Sequence, residues 1–326
     1  MQSSEREGLA SVTEQRLWPG VSVVIPSYNC ASFLATTLDS VFSQTFPVLE
    51  TIVVDDGSTD ETASVLKPYL DRIVYIKQQN KGLPGARNTG LRAARGAYVA
   101  LLDADDSWTP SKLMLQMPRF SDPEVGIVYS DFSVRYSDGR YQQSYLVNRP
   151  LASEGGILES YIRSRYLFPS TMVFRRACFE QVGYFDEEML ACEDIELFAR
   201  ICAHWKVALV NKPLMVRYEG DHNITSNSRQ MSDYTILALE KVLQKERNLA
   251  ASARSVIWGE LGRQHSWAGH SAFVEREMGR ARHHLMQALR SDPRTYRSSV
   301  GLLAASFLPT FVIKALRDLR AAKRTG

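Results

Sequence analysis

Ala97-Tyr98-Val99-Ala100-Leu101-Leu102-Asp103-Ala104-Asp105-Asp106 is an apolar run that ends abruptly in three carboxylates within four positions. Its first part predicts a strand over Tyr98–Leu102 that is buried on both faces. The carboxylates at its end repel one another, and each prefers to be neutral when desolvated. A cation is therefore expected beside them, and a hard divalent ion held by oxygen ligands suits the residue types. Next to a phosphate-rich molecule such an ion would offset both negative partners. Taken by itself, Asp103–Asp106 is better read as a solvated acidic turn. The rest of the N-terminal half decides against that.

Upstream, Val21-Ser22-Val23-Val24-Ile25-Pro26 is a β-branched run closed by proline, a second buried strand. Phe33, Leu34, Leu38, Val41 and Phe42 put helical spacing on Ala31–Gln44. Thr51–Val54 and Ile73–Ile76 read as strands. Between them Asp60 is placed to cap a helix running to about Leu70, with Glu61 favouring its first turn. Gly85–Arg95 predicts a further helix. Strands and helices in this alternation predict an α/β fold with a parallel sheet covered on both faces. Ligands of such sheets gather beyond the carboxyl ends of the strands. Pro26–Asn29, Asp55–Ser58 and Asp103–Asp106 all fall at strand ends, so one crevice is expected to collect them.

Further along, strands are predicted at Val125–Ser130, Tyr141–Tyr145, Ser170–Phe174 and Val207–Val210, with helices at Ile157–Ser164 and Asp194–His204. From Met231 the pattern is helical: Tyr234–Gln244, Val256–Ser266 and Ala272–Leu289. Trp258, Leu261, Gly262, Gly269, Ala281, Ala288 and Pro293 loosely match one tetratricopeptide-type hairpin. The expected organisation is a leader over 1–19, an α/β catalytic domain over 20–230 and a helical C-terminal region over 231–326.

The chain has 326 residues and is 44% hydrophobic, which suits a globular protein. A net charge of +3 creates no field that calls for nucleic acid, and none is expected as a partner. Cys30, Cys178, Cys192 and Cys202 form neither a metal-binding spacing nor a disulfide framework, which points to a reducing, cytoplasmic setting. The first twenty residues lack the basic start and apolar stretch of a secretory signal. No apolar run reaches the roughly 18 residues of a membrane span. The nearest is Val300–Ile313, broken by Pro309 and followed by Lys314, Arg317, Arg320, Lys323 and Arg324. One reading is a helix in the interface of an anionic membrane, peripheral on the inner face of the plasma membrane. The other is a terminal helix packed on the hairpin or on a second copy in a homodimer.

Five ordered segments now stand together: Val21–Asn29, Asp55–Asp60, Lys81-Gly82-Leu83-Pro84-Gly85-Ala86-Arg87-Asn88, Leu102–Asp106 and Glu193-Asp194-Ile195-Glu196-Leu197. In order and spacing the chain resembles family 2 glycosyltransferases, over Val21 to Thr225. The resemblance implies a GT-A fold, with a doubly wound, mixed but mainly parallel sheet and here a helical C-terminal appendage. It implies an inverting, metal-dependent transfer of a sugar from a UDP- or dTDP-sugar to a hydroxyl of a glycan or lipid-linked glycan. Cell-surface polysaccharide or glycolipid synthesis is the setting expected by analogy.

Residue by residue, the resemblance puts Pro26, Tyr28, Asn29, Asp56, Gly82, Arg87, Asp103 and Ala104 on the nucleotide-sugar. Tyr28 can lay its ring on the base. Asp56 would accept the imide N–H of uracil or thymine, a strong bond for a carboxylate. Asp55 is read as a brace for its loop, and Gly57 as a left-handed turn. Gly82 and Gly85 allow close backbone approach, the helix start offers N–H groups to an anion, and Arg87 can form forked bonds. Asp103 is placed at the ribose. Asp105 is placed on Mn²⁺ or Mg²⁺, with Asp106 a further ligand. Asp194 is the implied base, and Glu193 orients it or the acceptor. Like charges side by side raise a carboxyl pKa, which suits a proton acceptor. His222 is a further metal candidate, with Glu219 in the position where the family's histidine is often found.

The plainer alternatives are a tyrosine covering a sheet end, a ligand-free helix cap that accounts for Ser58–Asp60, and a Glu-Asp helix cap at 193–194. The first and the last would win for their segments in isolation. A nucleotidyltransferase is disfavoured because Pro26-Ser27-Tyr28-Asn29 stands where a glycine-rich, basic signature belongs. A non-catalytic nucleotide-sugar binding protein is disfavoured by Asp103, Asp105 and Asp194 occurring together.

Overall fold

A computed structural model describes residues 20–147, 153–219, 228–292 and 297–308. The elements in chain order are β1 Val21–Ser27, α1 Ala31–Phe42, β2 Val48–Asp55, α2 Thr62–Leu66, β3 Val74–Lys77, α3 Gly82–Ala93, β4 Tyr98–Leu101 and β5 Ser107–Trp108. They continue with α4 Lys112–Gln116, β6 Val125–Tyr136, β7 Tyr141–Gln142, α5 Leu158–Ser164, β8 Val173–Arg175, α6 Ala177–Val182, α7 Glu193–His204 and β9 Lys206–Glu219. Four helices follow: α8 Ser228–Lys245, α9 Ala251–Val274, α10 Met278–Ser291 and α11 Arg297–Ala305.

One sheet runs β3-β2-β1-β4-β8-β6-β9-β5, with β7 beside β6. The neighbours among β1 to β4 are parallel; β8 is wedged antiparallel between β4 and β6; β6 and β9 are parallel. The strand–helix alternation predicted only the parallel part; the mixed sheet is what the resemblance implied. Alternate residues of the buried strands feed opposite layers. Val24, Ile52, Val54, Val99 and Leu101 enter one core with Leu91 of α3. Val23, Ile25, Val53, Ala100 and Leu102 enter the other with Leu34 and Leu38 of α1. Gly90 lets α3 lie close, since a Cβ there would sit 2.3 Å from Val24 Cγ1.

Several boundaries differ from the sequence reading for identifiable reasons. Pro26 does not stop β1, which runs on to Ser27. Its missing N–H matters little there, because pairing with β4 ends at Val24. Helix α3 starts at Gly82 rather than Gly85: Gly82 takes φ +77, and Pro84 fits a first turn whose N–H groups have no helical partner. Strands β6 and β9 are far longer than their apolar runs. Asp131 and Pro213 interrupt the pattern, yet face each other at a register shift. Buried Asp131 is satisfied by N–H groups of Phe132, Tyr145 and Leu146. The expected helix Ala272–Leu289 is instead two helices, turning at Glu275–Glu277 with Arg276 at φ 65. Gly269 faces Leu285 across that hairpin, where a Cβ would lie 2.8 Å from Leu285 Cγ.

The helical region is tied to the sheet domain by charge as well as apolar packing. Lys241 and Lys245 of α8 reach Asp186 at 2.7 and 3.1 Å, and Lys245 reaches Glu196 at 3.0 Å. Arg165 pairs with Glu260 of α9 at 2.7 Å. Among the described residues no helix is long and apolar enough to cross a membrane. The leader over 1–19, His222, and the tail from 309 on, with all five of its cations, lie outside the described residues.

Candidate active site

Strand ends and helix starts build the site. At the end of β2, Asp55 accepts the Ser58 N–H and the Tyr75 hydroxyl, both at 2.8 Å, and so braces its loop. Asp56 is buried, and its Oδ1 accepts the Gln78 side-chain amide at 2.6 Å and the Lys81 N–H at 2.9 Å. That carboxylate couples the β2 end to the glycine-rich loop before α3. Gly57, in the loop that follows β2, has φ +82. Beyond β1, Tyr28 is 49% exposed. Asn29, at φ 55, receives the Thr59 N–H on Oδ1 and gives its own N–H to Ser58 Oγ. Its amide thus holds two loops together. Asp60 does likewise, accepting N–H groups from Ala31 and Thr62 at the starts of α1 and α2.

The acidic turn after β4 is held from both sides. Thr37 of α1 donates its hydroxyl to the carbonyls of Ala104 and Asp106, at 2.7 and 2.9 Å. Ser170 accepts the Asp103 N–H at 3.0 Å, and its own carbonyl accepts the Trp108 indole N–H at 2.8 Å. Neither Thr37 nor Ser170 was singled out from the sequence. A polar residue on the apolar stripe of α1 was the readable signal for Thr37. Ser170 had none, because its contact with Asp103 spans 67 positions.

Arg87 organises the opposite wall. It is only 2% exposed, and its guanidinium gives one bond to Glu193 at 2.7 Å and another to Asp103 at 2.8 Å. A residue of α3 thereby joins the end of β4 to the start of α7. Burial alone would lower its pKa, but the charges of Asp103 and Glu193 more than reverse this. Asp194 follows Glu193 in the first turn of α7. Burial, then the Glu193 charge, push its carboxyl up to about 7, against the opposing pull of Arg87.

These groups line one cavity of about 360 Å³ together with Lys81, Gly82, Asp105, Asp106 and Arg217. Pro26, Tyr28, Asn29 and Asp56 stand at neighbouring strand ends but do not line it. Asp105 and Asp106 are both raised above the ordinary carboxylate range, by burial first and then by neighbouring aspartate charge. Such a pair has the donor chemistry of a hard cation site, since a cation would restore the ionised form. Among the described residues no three His, Cys, Asp or Glu side chains converge as a ready cage, so oxygens of a bound ligand would complete the coordination.

A doubly wound parallel unit joined to a mixed half-sheet, with its crevice at the strand ends, defines a GT-A type of fold. The Glycosyl transferase family 2 model matches residues 22–183, and this part of the chain belongs to that family. Among relatives, 130 residues are 37% identical to chondroitin synthase of Escherichia coli, covering 39% of this chain and 19% of that protein. Another 116-residue match, 39% identical, is to the E. coli enzyme WfaP, a UDP-Glc:alpha-D-GlcNAc-diphosphoundecaprenol beta-1,3-glucosyltransferase, covering 35% of this chain and 46% of that one. The chain thus spans less than half the length of these two relatives. TarS 1-349 of S. aureus, crystallised with UDP-GlcNAc, superposes with a TM-score of 0.68 over 88% of this chain and 89% of that one, at 18% identity. That likeness concerns the fold.

Proposed function

We propose that the protein is an inverting glycosyltransferase that moves a sugar from a UDP- or dTDP-sugar to an acceptor hydroxyl in cell-surface glycan synthesis. The observation that carries this reading is Arg87 bridging Asp103 and Glu193, which fixes the candidate base beside the donor-side turn in one cavity. The names of WfaP and of the TarS complex both carry uridine nucleotides, which supports a uracil base.

In this reading Tyr28 stacks on the base, Asp56 meets its imide edge, and Asp103 meets the ribose. The start of α3 and Arg87 face the diphosphate. Mn²⁺ or Mg²⁺ would be held by Asp105 with Asp106, supplying Lewis-acid stabilisation of the departing diphosphate. Asp194 takes the proton of the acceptor hydroxyl as its oxygen attacks the anomeric carbon opposite the leaving group. One displacement by one base inverts that carbon. Arg87 holds Glu193 in place, and the Glu193 charge in turn helps keep Asp194 basic enough to accept the proton.

Titration calorimetry of UDP- and dTDP-sugars on the full chain tests this. Binding is expected, tightening at least about tenfold when Mn²⁺ is supplied. Absence of binding by every nucleotide-sugar, with or without Mn²⁺, would overturn the reading.

We also propose that the tail lies on an anionic membrane surface. Val300–Ile313 followed by five cations supports this, since cations near such a surface are each worth about 1 kcal/mol. In flotation with anionic liposomes the full chain should rise with the lipid, and a chain ended at Arg294 should not. Equal partitioning of both favours packing of the tail on protein instead.

A further inference from the structure

Four non-glycine residues among the described ones take a positive φ: Asn29, Arg165, Cys192 and Arg276. Three of them have a local reason. Asparagine enters the left-handed region more readily than other side chains. Arg165 closes α5 and Arg276 follows the last turn of α9, and a left-handed residue is a common way to end a helix. Cys192 has no such reason. At φ 59 and ψ 19 it stands at the start of α7, where the capping residue is normally extended and bonds a first-turn N–H through its side chain. Cys192 makes no such bond. A residue with a Cβ holds this conformation only where its surroundings impose it, and such residues cluster where function needs them. The next two residues are Glu193 and Asp194.

Helix α8 supplies the constraint. Met189, Cys192 and Ile195 form a small core with the fully buried Ala238 of α8, and Met231 and Tyr234 pack against it. The Cys192 thiol lies 3.6 Å from Thr235 Oγ1 and 3.8 Å from the Met231 carbonyl oxygen. Thr235 is itself fixed, giving its hydroxyl to that same carbonyl at 2.7 Å. The Cys192 carbonyl accepts the Glu196 N–H at 3.3 Å, the bond that opens α7. The α7 start is therefore gripped from two sides. Arg87 of α3 holds Glu193, and α8 holds Cys192. Both Cys192 and α8 lie beyond the residues 22–183 that the family model matches.

We propose that Cys192 is a positioning residue, held left-handed by α8 so that the first turn of α7 presents Asp194 to the cavity. The role given to Asp194 rests on the transferase reading above. Relaxation of Cys192 to the extended conformation would turn φ by more than about 100° and redirect the chain where it enters α7, away from Arg87. The helical region then acts on the reaction through one backbone conformation, without itself touching the reacting atoms.

The test uses the full chain, Ala238→Leu, which overfills the small core, and the milder Thr235→Val, which removes the hydroxyl beside the thiol. Hydrogen exchange followed by mass spectrometry, without substrate, reads the hold on Cys192. Exchange over residues 190–197 should quicken at least about tenfold in Ala238→Leu and threefold in Thr235→Val, with α1 and α3 unchanged. With the UDP-sugar that binds in the titration above, kcat should fall at least about tenfold in Ala238→Leu, and KM should move less than about threefold. Adding Cys192→Gly to Ala238→Leu should recover kcat at least about threefold, because glycine takes the left-handed conformation without being held. Should Ala238→Leu fail to fold, Thr235→Val decides. Exchange over 190–197 that stays at the wild-type rate in a folded variant overturns the proposal. So does quickening spread evenly over the whole chain, or a kcat that Cys192→Gly does not raise. Failure of the transferase reading shows separately, as wild-type protein that binds no UDP-sugar.

Discussion

Replacing Asp194 with Asn is expected to cut sugar transfer by about a thousandfold or more, within the range that general-base catalysis supplies. The amide keeps the shape of the side chain and an oxygen to accept the Ile195 N–H, which Asp194 Oδ1 receives at 2.8 Å. It loses only the ability to take a proton. Nucleotide-sugar affinity should change less than threefold, because the donor side is built from α3 and the β2 and β4 ends. The wild type should show kcat/KM falling about tenfold per pH unit below about 7, where Asp194 becomes protonated in the free enzyme. The same group gives a stability signature. Its folded pKa lies above the ordinary 3.8, so the folded state binds more protons between about 4 and 7. Stability contributed by this group therefore declines as pH rises through that window, and the penalty is complete above it. Asp194→Asn should accordingly melt no lower than wild type at pH 8. A variant with more than a tenth of wild-type transfer, or a rate independent of pH through that window, would remove Asp194 from the role of base.

Arg87→Met is expected to destabilise the protein by about 3–5 kcal/mol, the scale for removing one partner of a buried ion pair. The cause is not the lost arginine packing, which Met replaces in part. Asp103 and Glu193 are left facing each other's field with the cation between them gone. Transfer should fall below detection even at temperatures where the variant is folded, because the α7 start and the β4 end are no longer fastened together. Arg87→Lys should rescue little, since one ammonium cannot reproduce a fork to two carboxylates on different elements. Arg87→Met combined with Glu193→Gln should recover about 1 kcal/mol or more of stability without recovering transfer. Urea denaturation with linear extrapolation measures all three. A loss under about 1 kcal/mol for Arg87→Met would show that the bridge is weak in solution.

Local pattern made much of this molecule legible. Four strands were readable because each is a short apolar run closed by a turn signal, and the helix between the first two carries a 3.6-residue period. The acidic turn and the Glu193-Asp194 pair stood out because carboxylates beside apolar stretches need partners. Extent was less legible. Strands β6 and β9 run on through Asp131 and Pro213, where a bulge and backbone N–H groups make a polar break compatible with pairing. The α9–α10 turn was missed because both helices carry apolar residues up to the bend, and the bend itself falls on Glu275-Arg276-Glu277 rather than on glycine or proline.

By itself the sequence determined the strand–helix alternation and the acidic groups at the strand and helix ends, since these follow from periodicity and charge along neighbouring residues; of the three strand-end clusters expected in one crevice, only the Asp103–Asp106 turn lines the cavity. Tertiary structure alone decided who meets whom: Arg87 with Glu193 across 106 positions, Thr37 under the acidic turn, and Met231 of α8 beside the base loop. Burial leaves a periodic trace in the chain, whereas a hydrogen bond between distant residues constrains two positions and leaves none.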